Sequence, residues 1–242
     1  MPHEVQVPVK VVKYVLDTLN KMGMEEATFG FGENTLVITG LDPSKTTAFQ
    51  YTMPIENEEQ ATYVVPIDRF LKWVRKLRAN HTLLLRFEDN KMYANVAEVP
   101  RKFRISLLDV GGIEDIVVKQ LVETVNGAKA SLFGTAFKPV IDMASLYEHV
   151  GFILRNDLKG IMYGEEQSGG VREEYEFELT EYNFDGEEFE VLVAGDKLEL
   201  AKNVAQIVVG VEMRFAKDMP LVVGGAAVTG GEAWYVVAPV VG

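Results

Sequence analysis

The densest chemistry in this sequence lies between residues 68 and 78, D-R-F-L-K-W-V-R-K-L-R. At helical spacing Arg69, Lys72, Arg75 and Lys76 share one arc, and Phe70, Trp73, Val74 and Leu77 the other. Five cations stand here beside one acid, Asp68, in a chain of formal net charge -12. Such an arc can neutralise a row of phosphates, or it can be a solvated helix face. A solvated face normally mixes signs to gain pairs four residues apart. Lys10, Lys13 and Lys21 fall on the polar side of a helix predicted over residues 8–22, and Lys202 on one predicted over 196–205. The helix predicted over 137–150 offers Asp142, Ser145 and Glu148 against Lys138 and His149, so basic character sits mainly in the first half. No recognition-helix motif, zinc spacing or aromatic platform among cations suggests base readout. Contact through these cations would be to backbone phosphate, without sequence specificity, and would weaken with salt.

Catalytic chemistry finds little support. The chain contains no cysteine, which removes disulfides, thiolate metal sites and a thiol nucleophile. His3, His81 and His149 have no spacing that suggests a shared metal. Gly224-Gly225 and Gly230-Gly231 lack the GK[ST] or strand-GxGxxG-helix setting of a nucleotide site. Glu165-Glu166 reads as surface charge. The expectation is a non-enzyme with no cofactor and no metal; the alternative is a two-domain enzyme whose carboxylate site is unplaced. The start, Met1-Pro2-His3-Glu4, has no basic-then-apolar leader, and no apolar run is long enough to span a bilayer, so no membrane partner is expected.

The elements that must position these residues alternate between short strands and helices. After the helix over 8–22 come strands at 27–31, 36–39 and 46–53, and an acidic loop, Glu56-Asn57-Glu58-Glu59. Residues 63–66 lead into the basic helix. Strands follow at 81–87, 92–96 and 102–108. Residues 109–122, with Gly111-Gly112, read as a linker. The second half repeats the plan: a strand at 130–134, the helix over 137–150, a hairpin of 152–155 with 161–164, strands at 172–180 and 188–193, a helix, then strands near 208–215, 221–226 and 234–238.

Asp68 and Asp196, Phe70 and Leu198, and Arg86 and Arg214 are each 128 positions apart (196 − 68, 198 − 70, 214 − 86). Pro8-Val9 and Pro139-Val140 open the first helices at a similar offset. Either the chain is a tandem duplication, which would align four helices on one surface, or it is an α+β chain whose elements merely alternate. The predicted division is residues 1–108, a connector at 109–122, and 123–242.

Several stretches then resemble one family, the sliding clamps of archaea and eukaryotes, the proliferating cell nuclear antigen family. Asp218-Met219-Pro220-Leu221-Val222-Val223 resembles its D-x-P-L strand, and Trp234-Tyr235-Val236-Val237-Ala238-Pro239 its aromatic-rich strand ending in Ala-Pro. Val37-Ile38-Thr39-Gly40-Leu41-Asp42-Pro43-Ser44 resembles its strand and following loop. Phe103-Arg104-Ile105-Ser106-Leu107-Leu108-Asp109 resembles its strand entering the interdomain connector.

The resemblance implies an α+β fold of two duplicated clamp-type domains, helices packed on antiparallel sheets, forming one third of a ring. It implies a processivity factor that encircles duplex DNA and tethers enzymes; a checkpoint-type clamp for damage signalling is the near alternative. Lys10, Lys13, Lys21, Arg69, Lys72, Arg75, Lys76 and Lys202 would face DNA. Leu41, Ile116, Pro220, Val236, Ala238 and Pro239 would form the pocket for a partner's short helical motif, although Val236 and Pro220 also fit ordinary core positions. Arg101, Lys102 and Arg104 would meet Glu174, Glu176 and Glu178 of a neighbour along paired edge strands, or the alternation is incidental. Implied partners are a clamp loader, and polymerases, nucleases and ligases carrying the motif, in a homo- or heterotrimer. The implied setting is cytoplasmic and nucleoid-associated if archaeal, nuclear if eukaryotic. Val240 stands where the family commonly has a basic residue, and the second-half helices are poor in Lys and Arg.

Overall fold

The computed structural model describes residues 2–88, 90–109, 118–165 and 172–240. The first half opens with β1 (His3–Pro8), in which His3, Val5 and Val7 point inward and Glu4 and Gln6 outward. This strand was not expected, although its H-E-V-Q-V alternation has the two-residue period of a half-buried strand. Helix α1 (Val9–Lys21) buries Val11, Val12, Val15, Leu16 and Leu19 on one stripe. Then follow β2 (Glu26–Gly32), β3 (Thr35–Leu41), β4 (Thr47–Pro54) and β5 (Ala61–Pro66). Helix α2 (Ile67–Val74) leads to β6 (Thr82–Glu88), β7 (Lys91–Val96) and β8 (Lys102–Ser106). Asn34 and Asn90 take left-handed backbone (φ 55° and 57°) in the turns of the β2–β3 and β6–β7 hairpins.

Helix α3 (Val118–Thr124) starts within the last five residues of the predicted linker and runs two residues past its end; the linker residues 110–117 lie outside the described residues. The second half runs β9 (Ala128–Leu132), a 3-10 turn (Gly134–Phe137), α4 (Lys138–Leu146), β10 (His149–Arg155), β11 (Lys159–Glu165) and β12 (Arg172–Glu178). It continues through β13 (Glu181–Tyr182), β14 (Glu188–Ala194), α5 (Gly195–Leu198), α6 (Ala201–Val204), β15 (Val211–Phe215), β16 (Leu221–Ala226) and β17 (Glu232–Val237).

Three predicted helices shrink. The one over 137–150 ends at Leu146, because residues 149–155 pair with β11 and β14 instead. The one over 196–205 splits into α5 and α6, with Leu200, Lys202 and Asn203 bonded three residues back. Leu198, Ala201 and Val204 are buried at a spacing of three, which suits 3-10 winding better than 3.6 residues per turn. Helix α2 stops at Val74, and Lys76 and Leu77 continue as tight three-residue turns.

All strand pairs among the described residues are antiparallel. One sheet has the order β1-β6-β7-β8 and a second β12-β11-β10-β14. The third has nine strands, β13-β9-β15-β16-β17-β4-β3-β2-β5, and spans both halves through the β17–β4 pair. The duplication is visible in strand order: β1-β6-β7-β8 recurs as β9-β15-β16-β17, and β5-β2-β3-β4 as β14-β10-β11-β12. It is visible in the core as well. Phe29 meets Phe87 at 5.6 Å between ring centroids, and Phe152 meets Phe215 at 5.3 Å. One predicted match fails. Glu4 pairs with Arg86 and Lys129 with Arg214, so the first helices are offset by 125 (129 − 4), and Pro8 corresponds to Phe133 rather than Pro139.

Candidate functional site

Every helix but α3 lies in a layer on one side of the sheets: α1 packs on α2 and α6, and α4 on α5. Val237, Tyr235, Leu221 and Val223 face that layer, within the main core. Asp17 ties three of the helices together. It binds Lys21 on its own helix (2.8 Å), Arg75 just past α2, and Asn203 Nδ2 of α6 (3.2 Å). Burial pushes the Asp17 carboxyl up, but the hydrogen bonds from Lys21 and Arg75 outweigh it and hold the group below 3.8. Asn203 is itself buried.

The eight predicted phosphate-facing cations divide in two. Lys21 and Arg75 are bound to Asp17, Lys72 to Asp68 at 2.8 Å, and Lys202 to Glu199. The basic arc therefore does gain opposite-sign pairs, one of them four residues apart and one from another helix. Lys10, Lys13, Arg69 and Lys76 make no ion pair among the described residues. Helix α4 shows Lys138 bound to Asp142, with Ser145 on the same helix and Glu148 just past its end.

On the opposite side of the nine-stranded sheet an apolar row crosses the junction between the halves. Leu41 pairs with Ala48, Ala48 with Val236, and Val236 with Val222. Trp234, two residues from Val236, shares that face and is 5% exposed. Pro220 and Ala238 lie one residue beyond the Leu221–Val237 pair, half-buried, and Pro239 bridges to Val193. Five of the six predicted pocket residues thus gather at this row or its end; the sixth, Ile116, lies outside the described residues. Sequence reasoning missed Ala48, Val222 and Trp234. The signal was present: 221–223 and 233–237 are unbroken apolar runs, which marks strands covered on both faces.

Helix α3 is what covers the outer face. Val118, Val122 and Val125 are buried against Ala48, Val222, Trp234 and Val236, with Leu121 and Leu41 packed beside them. Arg214 lies 5.0 Å over the Trp234 ring and donates from Nη1 to the Val122 carbonyl at 2.7 Å. Asp42 fixes the loop after Leu41: its carboxylate accepts from Ser44, from Thr46 (2.9 Å) and from the Thr47 amide (2.7 Å). Burial raises that carboxyl, and these three donors bring it down past its ordinary value.

Two strands carry predicted interface residues, and each is the last strand of its sheet. Arg101, Lys102 and Arg104 are exposed at β8, and Glu174, Glu176 and Glu178 at β12. Arg101 donates to the Lys76 carbonyl (3.3 Å), and Arg172 binds Glu174 (2.7 Å) while stacking 4.0 Å over Tyr163. A cleft of about 730 Å³ beside β8 is lined by Met24, Pro66, Arg69, Phe103 and Arg104 among others.

No group of three or more His, Asp or Glu side chains among the described residues could hold a metal. His3 is buried, with Nδ1 2.7 Å from the Tyr63 hydroxyl. Among the described residues the carboxylates that shift, Asp17, Asp42, Glu98 and Glu181, all move down, opposite to a general acid held protonated at neutral pH. No helix among the described residues is long and apolar enough to cross a membrane.

No protein-family model matches the sequence. The chain is 31% identical over 131 residues to DNA polymerase sliding clamp 1 of Thermococcus kodakarensis, covering 51% of each protein. It is 29% identical over 143 residues to the DNA polymerase sliding clamp of Thermococcus gammatolerans, covering 55% of this chain and 56% of that one. The matched stretch thus spans about half the length of these curated relatives. Structural similarity is wider. A chain of the PCNA2–PCNA3 complex from Sulfolobus tokodaii superposes with a TM-score of 0.81 at 20% identity, covering 99% of both chains. PCNA from Thermococcus kodakaraensis gives 0.79 at 20% identity, covering 99% and 100%. A. fulgidus PCNA, solved with the C-terminal region of FEN-1 bound, gives 0.78 at 17% identity, covering 100% and 99%. The chain has the fold of these proteins from end to end, α+β with antiparallel sheets, and its sequence is related to the archaeal sliding clamps.

Proposed function

We infer that the chain is one subunit of an archaeal-type DNA sliding clamp, a ring that encircles duplex DNA and tethers polymerases and other replication and repair enzymes as a processivity factor. One observation carries this reading. The chain contains one finished joint between duplicated halves, β17 on β4, and the two loose ends of a second. Strand β8 holds the place of β17 in the first half, and β12 the place of β4 in the second. Both are edges, and an unpaired edge is a template for another chain. Pairing β8 of one copy with β12 of the next is head-to-tail, the kind of contact that closes into a ring when its rotation divides the circle. Residues 1–108 and 123–242 are then the two clamp domains.

The finished joint supplies the register of the second. Arg86 pairs with Tyr93 and Tyr93 with Arg104; Arg214 pairs with Val222 and Val222 with Val236. Arg104 thus takes the place of Val236, and Lys102 that of Trp234. Phe29, Ile38 and Tyr51 line up as Phe152, Met162 and Tyr175 do, so Glu174 takes the place of Gln50. Trp234 faces Gln50 inside the chain. Lys102 therefore faces Glu174 of the next copy, and Arg101 faces Tyr175.

The helix layer then lines the hole, with Lys10, Lys13, Arg69 and Lys76 the cations free to meet phosphate. Catalysis has no part in this: the ring holds DNA by topology, and tethering raises a partner's effective concentration. The pocket for partner motifs is the row from Leu41 to Val236 with Pro220, Ala238 and Pro239. Nucleases are one partner class, in keeping with the FEN-1 region on the A. fulgidus protein; polymerases, ligases and a clamp loader complete the set.

A heterotrimer is a second reading with an observation of its own. The same register sets Arg104 opposite Arg172, where Val236 faces Ala48 in the finished joint, and like charges directly opposite are unfavourable. A sibling subunit without that Arg would fit better. Light scattering on the purified chain tests both: a mass of three 27.0 kDa chains supports a self-sufficient ring. A monomer that forms rings only with sibling chains supports the heterotrimer. Loading on nicked circular DNA, with release when the circle is cut, tests the topology; retention on the linear product would overturn it.

A further inference from the structure

The groove that a partner would use is already filled by this chain. Val118, Leu121, Val122 and Val125 stand at i, i+3, i+4 and i+7, the anchor spacing of a helix laid into an apolar groove. Val118, Val122 and Val125 are buried there, while Lys119, Gln120, Glu123 and Thr124 face solvent. These anchors cover Ala48, Trp234 and Val236, beside Leu41.

We propose that α3 is a built-in competitor, a strap that a partner helix must displace to reach the groove. The inference rests on the groove being the partner site. Two features make the strap displaceable, and a third holds it closed until a partner arrives. Its contacts form a cluster separate from the main core, so lifting it leaves that core closed. Seven residues are too few for a helix to persist alone, so its order depends on the groove beneath it. Arg214 is its latch, bonded to the Val122 carbonyl and stacked on the Trp234 ring that the strap covers. A partner's apparent affinity is then reduced by the fraction of chains whose strap is lifted.

The chain has two tryptophans, so Trp73→Phe leaves Trp234 as the only indole reporter. In that background Val122→Asp puts a charge under the strap without changing the groove floor. Glu123→Pro breaks α3 from its exposed side and serves as a second variant. The probe is a synthetic peptide of the FEN-1 C-terminal region. The expected result is red-shifted, iodide-quenchable Trp234 emission and peptide binding at least about tenfold tighter than in the parent. Exposed Trp234 with unchanged or weaker binding overturns the strap and leaves the groove reading standing, since α3 would then be part of the partner's seat. Unchanged Trp234 emission in both variants also overturns the strap. Exposed Trp234 with no peptide binding in any of the proteins overturns the groove reading, and the strap with it.

Discussion

The proposed joint between copies stands or falls on Lys102 and Glu174. In the transferred register the two lie directly opposite, on the outward face of a strand pair. An opposite-charge pair in that position contributes about 0.2–1 kcal/mol, and reversing one member turns attraction into repulsion of similar size. Lys102→Glu should therefore cost about 1 kcal/mol per joint, or roughly a fivefold loss in each pairwise association constant. A closed ring of three identical joints compounds this to about a hundredfold loss in the constant for trimer formation. Both side chains are exposed, so the loss should shrink as salt rises toward about 1 M. Sedimentation velocity across a dilution series, at low and moderate salt, reads these shifts directly. The double reversal, K102E with E174K, should recover most of the association. Recovery by a reversal at Glu176 in place of Glu174 would show that the register is wrong by one step along the face. No effect of K102E at any salt would refute the joint itself.

Other expectations follow from the same geometry. Converting Lys10, Lys13, Arg69 and Lys76 together to Gln should weaken retention on DNA. It should also flatten its logarithmic salt dependence by up to about 0.9 per cation lost; the same change at Lys21, Lys72, Arg75 and Lys202 should do less, since their charges are committed to Asp17, Asp68 and Glu199. Asp17→Ala should cost about 1–3 kcal/mol, seen as a lower melting temperature, by breaking the tie between three helices. Because the folded-state value of Asp17 is depressed below 3.8, its contribution is complete above that pH and lost as pH falls through the lower folded value. Melts at successively lower pH should therefore show the gap between wild type and D17N constant above 3.8 and narrowing below it. Gly231→Ala should destabilise by about 1–3 kcal/mol, because a Cβ there would stand 2.0 Å from the Thr52 carbonyl across the β17–β4 joint.

The sequence made the fold legible where one face of an element is wet. Helix α1 and the strands of both hairpins follow from period alone, and Arg86 and Arg214 do occupy equivalent places. It misled where burial is two-sided or tertiary. Residues 147–150 carry a helix-compatible pattern, yet the ladder with β14 claims them from His149 onward. Strand β5 is short and looked like a lead-in to α2, because its partner, β2, lies some 35 residues away. Helix α3 was hidden by the glycines before it, and its apolar spacing has meaning only once the bare outer face of β16 and β17 is known. At the site, the cations could be named from sequence, but their division into free and bound could not. Arg75 meets Asp17 from 58 positions away, a contact that no local pattern encodes.

The β17–β4 pair joins residues about 180 positions apart; Tyr51 and Thr229, which share a hydrogen bond at that joint, are separated by 178. During synthesis β4 therefore emerges early and waits, with one side unpaired, until almost the whole second half has left the ribosome. Closing so long a loop is slow compared with folding within either half. A waiting strand of this kind is open to capture by β17 of a neighbouring nascent chain, and the product would be an interlocked, domain-swapped pair. Dilute translation and rapid completion of the second half favour the correct closure, whereas crowded polysomes and slow codons in that half should raise the yield of swapped dimers.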